Sequence, residues 1–365
     1  MEKQQPSYAD GEKQPEYADG EKQSELVLIS NWSSVQSLPE SYVFPPERRP
    51  GAEEIQASKD IPIINLEGIN GSERSEIIQH IIKASQDFGL FQVINHGVSR
   101  ELTDQTMRIF QEFFMLPAEF KSKFYSNDLN SSCRLYTSTL NYENETIHYW
   151  RDNLTHRCHP LEDHIDHWPE SPPGYRIIVG KYSTEVRKFL LTMLELICEG
   201  IGIKTGYFEG ELSKTQLVSV NHHTPCPDPS LTLGMPEHCD PNLISMLQQA
   251  DVCGLQALKD GQWIGIEPLA NAFVVIPGLQ LRVISNGKLA SAVHRVVTHL
   301  EKSRTTIGTF LTPSNDIMIR PVDGVLTSQE PMYRGYTYNE FFSAFIGNNC
   351  EAERALQCFK LSTMH

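Results

Sequence analysis

The sequence predicts an α+β protein with a β-rich core, either a barrel or a double-sheet jelly roll, flanked by helices. Residues 217–315 supply the main observation, because short apolar or alternating runs follow one another there, separated by Gly, Pro and Asp. The apolar spacing of Tyr182–Ile203 predicts a long helix before that region. The stretch "YNEFFSAFIGNN" predicts another helix after it. Helices therefore precede and follow the strands.

The chain divides into four segments by composition and pattern. Residues 1–25 carry a polar repeat, "EKQQPSYADG" then "EKQPEYADG", and we expect a disordered tail because it offers almost no apolar surface to bury. The other boundaries follow the change from helices to strands and back: a helical and β segment at 26–210, the β core at 211–315 and a C-terminal helical segment at 316–365.

Each element before the core has a local signal. The runs "IPIINLEGI" and "FGLFQVINHG" are short, apolar and closed by glycine, which is typical of strands. Between them, Ile77, Ile81 and Ile82 recur at helical spacing. The stretch "RELTDQTMRIFQEFFMLP" predicts a second helix, which Pro117 ends.

Within the core, Asp260-Gly261 lies between two strand-like runs and predicts a tight hairpin, because this dipeptide favours a type I′ turn. The runs "AFVVIPG", "LRVIS", "SAVHRVVTH" and "RTTIGTFLTP" continue the pattern. We therefore expect each of these runs, including Leu281–Ser285, to be a strand.

The composition excludes several classes of function. Of the 365 residues, 39% are hydrophobic, yet no apolar run approaches the roughly 18 residues that cross a membrane. The net charge is −15 and no cluster of Lys and Arg offsets it, so we expect no nucleic acid partner. The eight cysteines include no Cys-x-x-Cys pair, which argues against a thiolate zinc site and is typical of reduced, cytoplasmic thiols.

His238 and Asp240 lie two positions apart, just before an apolar run. Residues i and i+2 of a strand point to the same face, so these two side chains could bind one ion. His294, in "SAVHRVVTH", is the natural third ligand. Two histidines and one carboxylate form the facial triad of non-haem iron(II) oxygenases. A His-x-Asp pair alone is weak, and two hydrogen-bonded structural histidines are the alternative.

Arg304 and Thr306, in "SRTTIGTF", lie on one face of the expected strand with Gly308 and Phe310. A guanidinium inside a barrel needs a carboxylate because unpaired buried charge is costly, and no acidic residue of the chain is an obvious partner. A dicarboxylate ligand would serve, with one end on the metal and the other at Arg304 and Thr306. An exposed arginine on an edge strand is the alternative, which the flanking apolar residues disfavour.

These residues lie in motifs that resemble the plant 2-oxoglutarate- and iron(II)-dependent dioxygenases. The resemblance runs from about residue 60 to 345 and includes His238-x-Asp240, His294, Arg304-x-Thr306, "DFGLFQVINHG" and "RVISNGKLASAVHR". The stretches "NWSS", "ICEGIGIKTGYFEGELS" and "GLQLRVISN" resemble the hyoscyamine 6β-hydroxylase-like branch. The stretches "KFYSNDLNSSCRLYTS", "YWRDNL" and "SPPGYRIIVGKYSTEVRK" resemble the downy-mildew-resistance type, which acts on salicylate or flavonoids.

The resemblance implies a double-stranded β-helix (jelly-roll) core that binds Fe(II) through His238, Asp240 and His294, and 2-oxoglutarate through Arg304 and Thr306. With O2, decarboxylation of 2-oxoglutarate to succinate and CO2 would drive hydroxylation or another oxidation of a small plant specialised metabolite or hormone. Ascorbate as reductant and a cytoplasmic monomer are also implied.

The chain departs from the family at Asn221–Pro227, which reads Asn-His-His-Thr-Pro-Cys-Pro where the family usually has Asn-Tyr-Tyr-Pro-Pro-Cys-Pro. The second tyrosine normally donates a hydrogen bond to 2-oxoglutarate. The resemblance therefore assigns that cosubstrate contact to His223, on the same strand face as Asn221. An imidazole is shorter and titrates near neutral pH, so we expect an altered or pH-sensitive cosubstrate affinity.

Family likeness places the substrate pocket between the barrel mouth, the 133–150 segment and the C-terminal helix. The aromatic candidates there, each of which could equally be a core residue, are Tyr136, Trp150, Phe310 and Phe341. The stretch "RLYTSTLNY" offers Arg134 but no acid before Glu143, which favours a phenolic, flavonoid or carboxylate-bearing substrate slightly over a tropane alkaloid.

Two other classes of function stay open at this point. A degenerate member of the family would bind a ligand without turnover; His223 and Thr224 motivate this hypothesis, whereas the complete triad and Arg304 oppose it. A zinc hydrolase could use the same three ligands, but it would leave Arg304 without a role.

Overall fold

The computed structural model describes residues 28–32, 35–51, 58, 60–128, 130–326, 330–348 and 351–361, and the tail expected at 1–25 lies outside them. Its strands are β1 (Ile63–Asn65), β2 (Phe91–Ile94), β3 (Cys133–Thr137), β4 (Asp152–Arg157), β5 (Thr215–His223), β6 (Met235–His238), β7 (Ile244–Gln249), β8 (Leu255–Lys259), β9 (Gln262–Gly265), β10 (Phe273–Pro277), β11 (His294–Val296), β12 (Arg304–Thr312), β13 (Met318–Ile319) and β14 (Tyr336–Thr337). Its helices are α1 (Arg74–Asp87), α2 (Arg100–Met115), α3 (Ala118–Lys121), α4 (Tyr175–Ile201), α5 (Leu279–Ile284), α6 (Asp323–Leu326), α7 (Tyr338–Gly347) and α8 (Ala352–Gln357).

Two sheets form the core. The large sheet has eight strands in the order β1-β2-β10-β7-β12-β5-β4-β3, and the small sheet has four in the order β6-β11-β8-β9. Leu247 and Val274 of the large sheet share a buried apolar cluster with Leu255 and Val296 of the small one, so the sheets pack face to face. This is the predicted jelly-roll architecture, and strands from the N-terminal segment extend the large sheet at both edges.

The two faces of the large sheet differ because side chains alternate along each strand. β5 and β12 pair antiparallel over nine residues. On their outer face, Val218, Val220, Ile307 and Leu311 are completely buried in the main apolar core, which includes residues of α1, α2 and α4. The inner face, which meets the small sheet, carries polar side chains and holds the candidate site.

The long helix α4 begins at Tyr175, seven residues before the start that the apolar spacing predicts. Gly174 immediately before it has a φ of 82°, in the left-handed region that favours glycine. The helix continues through Gly180, where an added Cβ would lie 3.4 Å from Ile165. Gly180 therefore lies inside the helix, and its neighbours leave room for a Cβ.

The expected strand at "LRVIS" is wrong, because Leu279–Ile284 forms α5. Leu279, Leu281 and Val283 are all completely buried. Periodicity cannot separate a short helix from a strand when every apolar side chain is buried. The Asp260-Gly261 hairpin is confirmed: it joins β8 to β9 with φ values of 50° and 79°.

The C-terminal helix predicted from "YNEFFSAFIGNN" is confirmed as α7. It begins with a capping box, in which Thr337 accepts from the backbone of Glu340 and the Glu340 carboxylate accepts from the backbone of Thr337. In the described part of the chain, no helix is both long and apolar enough to cross a membrane.

Candidate active site

His238, Asp240 and His294 lie together between the sheets. His238 is the last residue of β6 and pairs directly with His294, the first residue of β11. Asp240 Oδ1 lies 3.7 Å from His238 Nε2 and 3.8 Å from His294 Nε2. Asp240 lies beyond the strand end, so the turn after β6 places the carboxylate, and Leu279 donates its backbone N–H to the Asp240 carbonyl at 2.9 Å. One ligand atom from each residue falls within 4.8 Å of the others.

The two imidazoles are oriented for metal binding. His238 Nδ1 lies 2.9 Å from the Pro236 carbonyl and His294 Nδ1 lies 3.1 Å from the Ala292 carbonyl. When each Nδ1–H donates to its carbonyl, both Nε2 lone pairs point to the shared centre. Burial, and then the charge of His294, lowers the pKa of His238 to about 4, so this imidazole is neutral at neutral pH. Two imidazole nitrogens and one carboxylate are the donor set of a non-haem Fe(II) site.

A second row of polar residues lies beside the triad on β5, β7 and β12. Arg304 pairs with His223, and Thr306 lies between Asn221 and Gln249. Arg304 is 2% exposed, and its Nη2 donates to Gln249 Oε1 at 3.0 Å. No carboxylate of the described residues forms an ion pair with Arg304, and burial lowers its pKa to about 10.

The row is incomplete as a hydrogen-bond network. The buried atoms without a hydrogen-bond partner include Arg304 Nε, Thr306 Oγ1, Gln249 Nε2, His223 Nε2 and Asp240 Oδ2. Buried polar atoms in proteins are normally satisfied, so four such atoms on the paired strands β5, β7 and β12, with a fifth in the triad, indicate missing polar partners. A dicarboxylate would accept from Arg304 and Thr306, and a cation would satisfy Asp240. The residues present therefore fit 2-oxoglutarate and Fe(II).

His223 is a buried, neutral imidazole. Burial, followed by the positive charges of Arg304 and Arg151, lowers its pKa well below the ordinary value. The titration near neutral pH that its sequence position led us to expect is therefore not supported. Its ring packs against Gly234, where an added Cβ would lie 2.5 Å from His223 Cδ2. The neighbouring His222 faces the other side of the sheet and stacks on Phe114.

β4 contributes site residues that the sequence reasoning missed. Arg151, just before β4, donates from Nη1 to Asn221 Oδ1 at 2.9 Å, and Asn153 donates to the same oxygen at 2.8 Å. Thr155 donates to Asn153 Oδ1 at 2.6 Å. The signal was the alternation of polar Asn153 and Thr155 around apolar Leu154, which is typical of a strand with one polar face.

The four aromatic candidates fall into two groups. Tyr136 faces the β4 network, with the Arg151 guanidinium 6.0 Å from its ring centroid, and Phe310 lies on the Arg304 face of β12 and is half-buried. Trp150 instead packs on Trp32 and Tyr42, and Phe341 is completely buried among aromatic residues of the C-terminal segment. The structure thus places Trp150 and Phe341 in apolar clusters rather than beside the triad.

Comparisons with known proteins agree with this geometry. Residues 214–313 match the 2OG-Fe(II) oxygenase superfamily, and residues 61–173 match the non-haem dioxygenase in morphine synthesis N-terminal family. Hyoscyamine 6-dioxygenase of Hyoscyamus niger is 42% identical over 92% of this chain and 98% of its own length. Protein DOWNY MILDEW RESISTANCE 6 of Arabidopsis thaliana is 39% identical over 91% of this chain and 98% of its own.

A solved structure shares the fold. The crystal structure of JOX2 in complex with 2OG, Fe and JA superposes with a TM-score of 0.79 at 26% identity, and the match covers 96% of this chain and 100% of that one. The resemblance to both plant branches is therefore confirmed. Neither the relatives nor the site geometry supports the degenerate ligand-binding protein or the zinc hydrolase.

Proposed function

Because the chain belongs to the 2-oxoglutarate- and iron(II)-dependent oxygenases, we propose that His238, Asp240 and His294 are its iron ligands and that Arg304 and Thr306 bind 2-oxoglutarate. The enzyme couples decarboxylation of 2-oxoglutarate to succinate and CO2 with oxidation of a small organic substrate. The observation that carries the residue assignment is the set of buried polar atoms without partners beside the triad.

The chain's own residues bind and orient. Carbonyl acceptors at Nδ1 hold His238 and His294 in the ligating tautomer, and Arg304 offers a planar fork to the distal carboxylate. Thr306 would donate its hydroxyl to that carboxylate. His223 stands in the place of the family's tyrosine, but its Nδ1 lies 3.4 Å from the Arg304 carbonyl, so in the neutral ring Nε2 is an acceptor and does not replace the tyrosine's donated hydrogen bond. Bound Fe(II) and O2 supply the oxidising chemistry, with ascorbate as reductant. The apolar cluster between the sheets limits water near the reacting atoms.

The substrate is a small plant specialised metabolite or hormone, and its class is part of the proposal. The relative named for hyoscyamine favours a tropane-type alkaloid. The inner face favours a phenolic, flavonoid or carboxylate-bearing molecule, since Arg151 and Arg134 lie there, whereas the Glu145 carboxylate already contacts Ser138 and His148. Tyr136 and Phe310 are the aromatic contacts in this proposal. We also propose a cytoplasmic monomer with no nucleic acid or membrane partner.

Anaerobic titration of the Fe(II)-loaded protein with 2-oxoglutarate tests the assignment. We expect a weak visible charge-transfer band that saturates with 2-oxoglutarate, because the keto acid chelates an iron with open positions. The Arg304→Met variant should bind iron equally but require far more 2-oxoglutarate for the same band. Iron bound without any band in the wild-type protein would refute the cosubstrate site, and an unchanged titration in Arg304→Met would refute the role of Arg304.

A further inference from the structure

Arg151 is a buried cation with spare hydrogen-bond donors. Its side chain is 7% exposed, Nε donates to the Ser138 carbonyl at 2.8 Å, and Nη1 donates to Asn221 Oδ1 at 2.9 Å. The other contact of Nη1 is Met235 Sδ at 2.9 Å, and a thioether is a weak acceptor. Nη2 donates to no residue within the described ranges.

The guanidinium of Arg151 lies at the junction of the metal and cosubstrate sites. Asn221, which it contacts, pairs with the cosubstrate residue Thr306. Met235, its other contact, is in β6, the strand that ends at the iron ligand His238. The charge of Arg151 adds to burial in lowering the pKa of both His238 and His223. The guanidinium therefore faces the space beside the triad.

No carboxylate in the described part of the chain neutralises Arg151. The adjacent Asp152 lies on the opposite face, where its oxygens accept from the backbone N–H groups of Ile29 and Ser30 at 3.1 and 2.8 Å. Glu145 is reached only through Ser138, and it is held by Ser138, Thr139 and His148. A buried guanidinium without an anionic partner is costly, and Arg151, like Arg304, has no carboxylate partner among the described residues.

We propose that Arg151 binds a carboxylate of the organic substrate and so sets its specificity. Nη2 offers two hydrogens, and a carboxylate oxygen can replace the weak Met235 acceptor at Nη1, which gives a two-bond fork on one side of the guanidinium. A substrate ammonium would face this positive charge with no free carboxylate nearby. The inference rests on the proposed function, which assigns the carboxylates of 2-oxoglutarate to iron and to Arg304.

Binding of a minimal pair of probes, benzoate and its neutral analogue benzamide, tests this inference. Each probe is titrated anaerobically into protein loaded with Fe(II) and 2-oxoglutarate, and the change in the visible band reports occupancy beside the metal. The wild type should bind benzoate more tightly than benzamide. In Arg151→Gln the benzoate affinity should fall about 10- to 100-fold, as expected for loss of a charged hydrogen-bond pair, while benzamide affinity stays the same. Arg151→Lys should keep part of the preference.

Arg187→Gln is the matched control, because Arg187 is partly buried on α4, donates to the Ser213 carbonyl and lies outside the site. It should retain the benzoate preference. Absence of benzoate binding in the wild type, equal binding by wild type and Arg151→Gln, or equal loss of both probes in Arg151→Gln would overturn the inference. A weaker 2-oxoglutarate titration in Arg151→Gln would assign Arg151 to the cosubstrate instead. Failure of the proposed function is distinct, since the band would then be absent before any probe is added.

Discussion

Replacing Arg304 by methionine should stabilise the protein without cosubstrate and abolish tight 2-oxoglutarate binding. Burial lowers the pKa of Arg304 from its ordinary value to about 10, which corresponds to about 3 kcal/mol of unfavourable free energy for the charged form in the folded state. Methionine is similar in length, has no charge and fits beside Gly254, where the arginine stem now passes. Loss of the hydrogen bond to Gln249 offsets about 1 to 2 kcal/mol of this gain.

The net expectation is therefore a free energy of unfolding that rises by about 1 to 2 kcal/mol at neutral pH. The sign follows from the proton balance. Between the folded-state pKa of about 10 and the higher ordinary pKa of arginine, the unfolded chain binds more protons at Arg304, so the stability of the wild type rises with pH there. The advantage of Arg304→Met should accordingly be full below pH 10 and shrink above it.

Urea unfolding of the Fe(II)-loaded proteins at pH 7.5, without and with 2-oxoglutarate, measures both effects. At a cosubstrate concentration of 100 times Kd the wild type should gain about 2.7 kcal/mol, and the variant should gain almost nothing. Arg282→Met is the control, because Arg282 pairs with Glu353 away from the site, and it should lose stability by about 1 kcal/mol or less. A destabilised Arg304→Met that still responds to 2-oxoglutarate would refute the reasoning.

Three further substitutions have definite outcomes. Gly234→Ala adds a Cβ 2.5 Å from His223 Cδ2, so it should lower the free energy of unfolding in urea by about 1 to 3 kcal/mol and weaken 2-oxoglutarate binding. Wild-type values for both would contradict the close contact between Gly234 and His223. Asp240→Asn should lower the Fe(II) affinity, measured by calorimetry, by more than the roughly 10- to 100-fold that is typical when a residue hydrogen-bonded to a metal ligand is lost. A smaller loss would argue against Asp240 as an iron ligand. Asp152→Asn removes the acceptor of the Ser30 N–H and should cost about 1 to 3 kcal/mol, with faster proteolysis near residue 30; unchanged proteolysis would show that this contact does not hold the segment.

Some site residues could be predicted from the sequence, because the pattern that marks them lies within a few neighbouring residues. His238 and Asp240 lie two positions apart in the sequence. Arg304 is a cation flanked by apolar residues, with no obvious acidic partner in the sequence. All three could therefore be selected as candidates before any contact was known. The position of Asp240 beyond the strand end could not be predicted, because it depends on the turn that hydrogen-bonds to Leu279.

The contribution of β4 is a long-range property. Asn153 contacts Asn221 only because β4 pairs with β5, and the residues "DNLTHR" do not indicate which strand β4 pairs with. Trp150 shows the opposite difficulty. An aromatic side chain suits a substrate pocket and a core equally well, and only its packing on Trp32 and Tyr42 decides between them.

The two faces of the large sheet have different roles: the outer face stabilises the fold, and the inner face carries the candidate site. Its outer face buries Val218, Val220 and Ile307 completely, and that burial supplies the free energy that lets the inner face keep polar atoms without partners. Apolar side chains at Arg304 and Thr306 would relieve buried unsatisfied groups and stabilise the fold. Folding therefore does not account for the polar residues on the inner face of β12. A ligand that restores their missing hydrogen bonds would account for them, and this is why the atoms that make the protein less stable support the proposed cosubstrate site.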